Sequence, residues 1–294
     1  MSTGSQRSFR FGVNMMVPTD RAGWVGNCRK AEDLGYDVVA VADHLGMPAP
    51  FPALVLAAEV TERVRLCTFV LNAAFYNPAL LARDVAGTDQ FTGGRLELGL
   101  GAGYVKAEFD AAGLPFDSAR RRIDHLGHTV AELRRLFGQD DPRPVQRPGP
   151  PLLIGGNGDR VLRLAAREAD IAGFTGARFT ADGTSGSLAG AEDVAERVEF
   201  VRTAAGDRAD DIELNVLVQK VLITDDRAAA LRQFQHYEPE LTVEELGELP
   251  TLLVGTAAEI ADQLRAHRKR FGFSYITVLE PDLEPFAEVM ELLR

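Results

Sequence analysis

Cysteine is scarce in this chain, and its absence removes whole classes of function. Only Cys28 and Cys67 occur, with no paired spacing, which excludes a disulfide scaffold and a thiolate metal site. Cys28 shares helical intervals with Trp24, Ala31 and Gly35, and Cys67 lies in an apolar strand pattern, so both read as reduced core residues. Histidine is nearly as rare. His125 and His128, beside Asp124, have the spacing of two ligands on one helix face, but nothing completes the set and the pair reads as a solvated face. His236 and His267 lie among charged residues and carry no signal, so no metal is expected. Lysine appears only at Lys30, Lys106, Lys220 and Lys269, and the net charge is -11. A field of that sign opposes nucleic-acid and anionic-membrane partners. No glycine precedes a Lys-Ser/Thr pair and no G-x-S-x-G elbow is present, which removes P-loop phosphate binding and serine acyl transfer. Uninterrupted apolar runs of about 18 residues, the length of a membrane span, are missing. The first residues, Met1 to Arg10, are polar without an apolar h-region, so the expected location is the cytoplasm.

What is abundant is core-forming material. The chain has 294 residues, 46% of them hydrophobic and 26% charged, enough to bury a large core. Short apolar runs alternate with longer runs of helical period, the pattern of a parallel sheet wrapped by helices. Eight such units can be counted. The predicted strands are Phe11 to Met15, Val38 to Asp43, Arg65 to Asn72, Leu96 to Gly101, Leu152 to Gly155, Ile171 to Thr175, Glu213 to Val218 and Tyr275 to Leu279. The predicted helices follow at Val25 to Leu34, Pro52 to Arg63, Pro78 to Phe91, Ser118 to Phe137, Arg160 to Glu168, Ala191 to Ala205, Ala257 to Phe271 and Pro285 to Leu293. Thr256 to Glu259 spell a capping box at the start of one helix, and Gly272 suits its end. Gln139 to Pro151 reads as a surface loop, and the Gly/Ser/Thr-rich stretch from Asp182 to Ser187 as a mobile one. The acidic stretch Glu238 to Glu248 reads as an added helix. None resembles an interdomain linker, so residues 1–294 are expected to form one (β/α)8 TIM-barrel domain with insertions at the C-terminal mouth.

In such a barrel, chemistry sits where the strands end. Those ends deliver Asp43 and His44, Asn72 and Ala73, the run Gly101, Ala102 and Gly103, and the run Gly155, Gly156, Asn157 and Gly158. Thr175, Gln219 and Glu280 complete the possible ring. Glycines at 155, 156 and 158, just before a helix, let backbone amides approach an anion, although any strand-to-helix turn has the same need. Gly99, Gly101 and Gly103 fail the dinucleotide fingerprint because Tyr104 stands where its third glycine would fall. They suit either a floor for a planar ring or tight packing. Histidine, with an unperturbed pKa of about 6.5, suits proton transfer, so His44 with Asp43 forms the candidate catalytic pair, the alternative being a hydrogen bond that only stabilises the mouth.

The segments Ala42-Asp43-His44, Asn77 to Ala82, Phe91 to Gly103, Ile154-Gly155-Gly156 and Gly255 to Ala261 together resemble the luciferase-like monooxygenase superfamily over almost the whole chain, and within it the coenzyme F420-dependent oxidoreductases. That resemblance implies a bacterial luciferase-like barrel with a flavin-like ring across its mouth. It also implies a bulge after the third strand, commonly with a non-proline cis peptide, at Leu71, Asn72 and Ala73. The family phosphate site maps to Gly155, Gly156, Asn157 and Gly158. The implied cofactor is coenzyme F420, with FMN and two-component monooxygenation as the alternative. The implied partners are a small-molecule substrate and a second copy of the chain in a homodimer. Sugar-phosphate dehydrogenases of the family carry a tryptophan-bearing loop after Asp-His, whereas Leu45, Gly46, Met47 and Pro48 stand here. With Met47, Phe51, Phe75, Tyr76 and Tyr104 nearby in sequence, an apolar or aromatic-sided substrate is expected.

Overall fold

The computed structural model describes residues 7–16, 20–139, 143–179 and 186–294. Eight parallel strands form the centre: β1 (Arg10–Met15), β2 (Val38–Val41), β3 (Arg65–Thr68), β4 (Leu96–Gly101), β5 (Leu152–Gly155), β6 (Ile171–Phe174), β7 (Glu213–Leu217) and β8 (Tyr275–Leu279). Each pairs with its neighbours in chain order, and β8 pairs with β1 through Arg10↔Tyr275 to Asn14↔Leu279. The sheet is therefore a closed barrel, as the eight alternations predicted. Helices Pro78–Phe91, Ala191–Ala205 and Ala257–Phe271 have the bounds read from the sequence. The capping box is formed as well: Thr256 N–H donates to Glu259 Oε2 at 2.8 Å and Glu259 N–H to Thr256 Oγ1 at 3.3 Å.

Strand alternation divides the interior. In β4, Leu96, Leu98 and Leu100 pack outward in the main core, while Glu97, Gly99 and Gly101 face the lumen. The lumen is divided in its turn. One side is apolar, with Val38, Ala40, Cys67, Leu153 and Ile171 under Phe69 and Val70. The N-terminal floor is charged. Arg10 pairs with Glu97 at 2.6 Å and with Glu213 at 2.7 Å, and Arg65 pairs with Glu97 at 2.5 Å. Arg10 also lies 4.2 Å above the Tyr275 ring. Glu97 is 1% exposed, so its charge is tolerable only because two guanidiniums share it.

The insertions lie beyond the ends of β4, β6 and β7. A helix at Lys106–Ala111 follows β4, and a hairpin of Ala177–Phe179 with Gly186–Leu188 follows β6. Most of the Asp182 to Ser187 stretch, and Asp140 to Pro142 of the other expected loop, fall outside the described residues. After β7, strand Lys220–Ile223 pairs in parallel with Leu252–Gly255 around helices Arg227–Phe234 and Val243–Glu248. This unit has its own core of Leu231, Leu246, Leu249, Leu252 and Val254. The helix expected over Glu238 to Glu248 is thus shorter, beginning only where Thr242 caps it through Glu245 N–H at 3.1 Å. No described helix is long and apolar enough to cross a membrane.

His267, which lies among charged residues in the sequence, is 6% exposed in the fold and packs 5.6 Å from the Phe271 ring. Burial, reinforced by Arg270, pushes its pKa down to about 4. The neutral form is the folded form, so the unfolded chain binds the extra proton first. Stability is therefore retained above about pH 6.5 and falls as pH drops towards 4, by about 3 kcal/mol in all. Urea denaturation of His267→Phe between pH 7 and 4 should lack this component; an unchanged acid slope would contradict the assignment. At the floor, Glu97→Ala removes the carboxylate that Arg10 and Arg65 share, leaving Arg10 with Glu213 alone, and should cost about 3 kcal/mol. A loss below about 1 kcal/mol in the same assay would remove Glu97 from that role.

Candidate active site

The mouth is organised from the bent end of β3. The Phe69–Val70 peptide is cis, two residues before the bulge expected at Leu71, Asn72 and Ala73, and it divides the single predicted strand in two. Leu71 and Asn72 then rejoin β4 opposite Leu100 and Gly101. The glycines of β4 and β5 are explained by what this bend places on them. A Cβ at Gly99 would lie 1.9 Å from the Thr68 carbonyl oxygen, one at Gly101 2.7 Å from Val70 Cγ2, and one at Gly155 3.3 Å from Val70 Cγ1. Gly101 and Gly155 thus seat the Val70 isopropyl group, and the half-buried Val70 covers them. Gly103, at φ +72°, faces the Asn72 carboxamide, which a Cβ would meet at 2.3 Å.

Asp43 fastens β2 to this bend. Its Oδ2 accepts from Asn72 N–H at 3.0 Å, and its carboxylate also accepts from the Tyr76 hydroxyl. Burial pushes the Asp43 carboxyl upward in pKa, against the pull of these two donors and of His44. Burial raises the Tyr76 phenol too, and Asp43 adds to it. Tyr76 follows a short turn at Ala73–Phe75 that begins at Asn72, whose Oδ1 accepts from Ala74 N–H at 3.2 Å. The helix Ala119–Phe137 braces both loops: Arg122 Nε donates to Gly103 O at 3.1 Å and His125 Nε2 to Ala73 O at 3.1 Å. His125, read from sequence as part of a solvated face, is therefore a brace of the mouth.

His44, the next residue, has a partner of its own. Its Nδ1 lies 2.8 Å from Glu108 Oε1, and its ring meets Tyr104 edge-on at 6.4 Å. Glu108 went unnoticed in the sequence because the short helix Lys106–Ala111 that carries it did; its only signal was an acidic residue one turn into a glycine-led segment. The His44 side chain is 34% exposed and Glu108 16%, so the pair is shielded yet reachable.

Opposite, Asn157 Nδ2 donates to Thr175 Oγ1 at 2.8 Å and Gln219 Nε2 to Thr175 O at 3.2 Å, joining the ends of β5, β6 and β7. Gly156 N–H is engaged with Gly173 O at 3.2 Å. What remains for an anion is the first turn of helix Asp159–Glu168, where Gly158 is the N-cap and provides no side chain. Glu280 binds Met16 N–H at 2.9 Å and Asn27 Nδ2 at 2.7 Å, and so ties β8 to β1. Ala102 and Gly103 are half-buried on the rim beside Asn72. Among the described residues no group of His, Cys, Asp and Glu is placed to hold a metal.

The chain has known relatives in sequence and in fold. The sequence profile of the luciferase-like monooxygenases matches residues 8–275, and the chain belongs to that family. It is 29% identical over 267 residues to the F420-dependent glucose-6-phosphate dehydrogenase of Intrasporangium calvum, across 81% of this chain and 78% of that one. It is also 29% identical over 126 residues, 37% of this chain and 34% of that one, to the FMNH(2)-dependent dimethylsulfone monooxygenase of Pseudomonas putida. In fold it matches an F420-dependent secondary alcohol dehydrogenase solved with an F420-acetone adduct, with a TM-score of 0.77 at 16% identity over 98% of both chains.

The Asp43 anchor can be tested without any ligand. Asp43→Ala leaves Asn72 N–H and the Tyr76 hydroxyl unpaired, which should cost about 2 kcal/mol in chemical denaturation. A cost under about 0.5 kcal/mol would show that the bend holds without it.

Proposed function

We propose that this chain is a coenzyme F420-dependent oxidoreductase that moves a hydride between the deazaflavin and a small organic substrate. The observation that carries the reading is the His44–Glu108 pair at 2.8 Å on the rim of a luciferase-like barrel, with Asp43 and Val70 behind it. The dehydrogenase of Intrasporangium calvum, similar over most of both chains, supports F420 over FMN.

Coenzyme F420, when bound, supplies a two-electron hydride carrier that reacts poorly with oxygen. The residues of this chain supply the proton chemistry. With Nδ1–H donating to Glu108, His44 is held as the tautomer whose Nε2 is an acceptor. For an alcohol substrate, His44 Nε2 would take the hydroxyl proton while the bound coenzyme accepts the carbinol hydride, and Glu108 would stabilise the imidazolium. In the reverse direction His44 would return the proton to the alkoxide. Asp43 is committed to Asn72 and Tyr76 and acts by positioning the bend. Asn72, Ala102, Gly103 and Val70 would hold the ring, with Leu71 and Ala73 supporting the bend. The first turn after Gly155, Gly156, Asn157 and Gly158 would receive the phosphate.

For the substrate, Leu45 is 50% and Tyr104 40% exposed beside His44, and Phe51 meets Tyr76 edge-on at 6.4 Å. These surfaces favour an apolar or aromatic-sided molecule over a sugar phosphate. The second reading, an FMN-dependent monooxygenase, is favoured by the resemblance to the Pseudomonas putida enzyme. We further propose that the protein acts in the cytoplasm as a homodimer.

Fluorescence titration with each cofactor separates the two readings. Tight F420 binding with weak FMN binding is expected, and the reverse result selects the monooxygenase. In turnover with F420, His44→Ala should lower kcat by about 100-fold or more while the cofactor Kd stays within about two-fold. Unchanged turnover at every pH would exclude the proton role.

A further inference from the structure

Strand β1 carries a carboxamide that the barrel itself does not use. Phe11, Val13 and Met15 join the outer core with Trp24, Cys28 and Ala31. Arg10 reaches the glutamates of the floor, and a Cβ at Gly12 would lie 3.0 Å from Tyr275 Cε2 and 3.1 Å from Thr277 Oγ1. By alternation Asn14 also projects into the lumen, as the last lumen-facing residue of β1. Its register partners are Leu279 in β8 and Ala40 in β2, neither of which has a polar side chain to offer. Asn14 is 5% exposed, and its Oδ1 is sealed from solvent with no hydrogen-bond partner among the described residues.

Buried carboxamides are almost always paired, because an unpaired one forfeits its hydration with nothing in return. Other polar atoms of the lumen are orphaned too, but their setting differs. Asn215 has its Nδ2 committed to Tyr275 O at 3.2 Å and Thr277 Oγ1 at 2.8 Å. With Tyr275 it lies deeper, at 0% exposure. Asn14 stands at the mouth end of its strand, on the lumen side of the same ring of strand ends as Asp43 and Asn72.

We propose that Asn14 is a ligand-contacting residue whose carboxamide hydrogen-bonds the ring of the cofactor bound at the mouth. This rests on the cofactor reading above. A carboxamide presents an acceptor oxygen beside a donor nitrogen, and the –NH–CO– edge of a flavin or deazaflavin pyrimidine is its complement, so two parallel hydrogen bonds satisfy both groups at once. A polar group kept at a cost to the empty barrel, and repaid on binding, is the signature of a site selected for function over stability.

Asn14→Leu, which removes the polar atoms at nearly constant volume, distinguishes this role from a structural one. Two quantities are read: the melting temperature of the cofactor-free protein, and the dissociation constants for coenzyme F420 and for FMN by fluorescence titration. The variant should melt at the same or a higher temperature than wild type, because an unpaired buried amide has been removed. Its Kd for the cofactor that wild type binds should rise about tenfold, the loss of roughly one net hydrogen-bond contribution. An unchanged Kd overturns the proposal, and so does a lower melting temperature in the cofactor-free protein, since that would reveal a structural partner. If wild type binds neither cofactor, it is the cofactor reading that fails, visibly and before any variant is compared, and the proposal falls with it.

Discussion

The mouth of this barrel depends on one half-buried carboxylate. Asp43, two residues beyond β2, accepts from the Asn72 backbone and the Tyr76 hydroxyl, which ties the segment after β2 to the β3 bend. Other contacts gather at the same bend. Val70 is seated on Gly101 and Gly155, the Asn72 amide lies against Gly103, and the Ala73 carbonyl comes within reach of His125. A carboxylate so engaged has little left for catalysis. The neighbouring imidazole has a partner of its own in Glu108, and in the proposed reading it is the group that carries the proton. One short Asp-His sequence is thus shared between two sets of contacts.

The two ends of the barrel do different work. At the floor, two arginines and two glutamates pair across the lumen. At the mouth, Asn14 Oδ1 has no partner among the described residues, His44 is partly exposed, and the first turn after Gly158 lacks a side-chain cap. Reachable polar groups at the C-terminal strand ends are what this fold leads one to expect, since chemistry gathers there.

Much of the frame was legible in the sequence because hydrophobic period and turn residues are local signals. All eight strands and the helices Pro78–Phe91 and Ala257–Phe271 follow from them. Asp43 and His44 were legible as neighbours after a strand, but their separate partners, Asn72 and Tyr76 for one and Glu108 for the other, were not, since these contacts are distant in sequence. What was illegible depends on contacts distant in sequence. Glycines 99, 101 and 155 have the composition of a bare floor, and only the bend at Phe69–Val70 shows that they receive another strand. The Lys220–Ile223 and Leu252–Gly255 pair was hidden because each strand is short and pairs across about thirty intervening residues. His125 was misread and the burial of His267 went unseen for one reason: burial of a polar side chain is decided by what packs over it.

The central claim is that the flavin-like ring sits at the C-terminal mouth, between the β3 bend and His44. A crystal structure of the protein with coenzyme F420 tests it most directly. The account predicts the ring with its face on Val70, its edge near Asn72, Ala102 and Gly103, and its reactive carbon open towards His44. It would be contradicted by a ring bound elsewhere, for instance in the cleft of about 410 Å3 at the opposite end of the barrel, lined by Arg10, Arg63, Arg65 and Arg294.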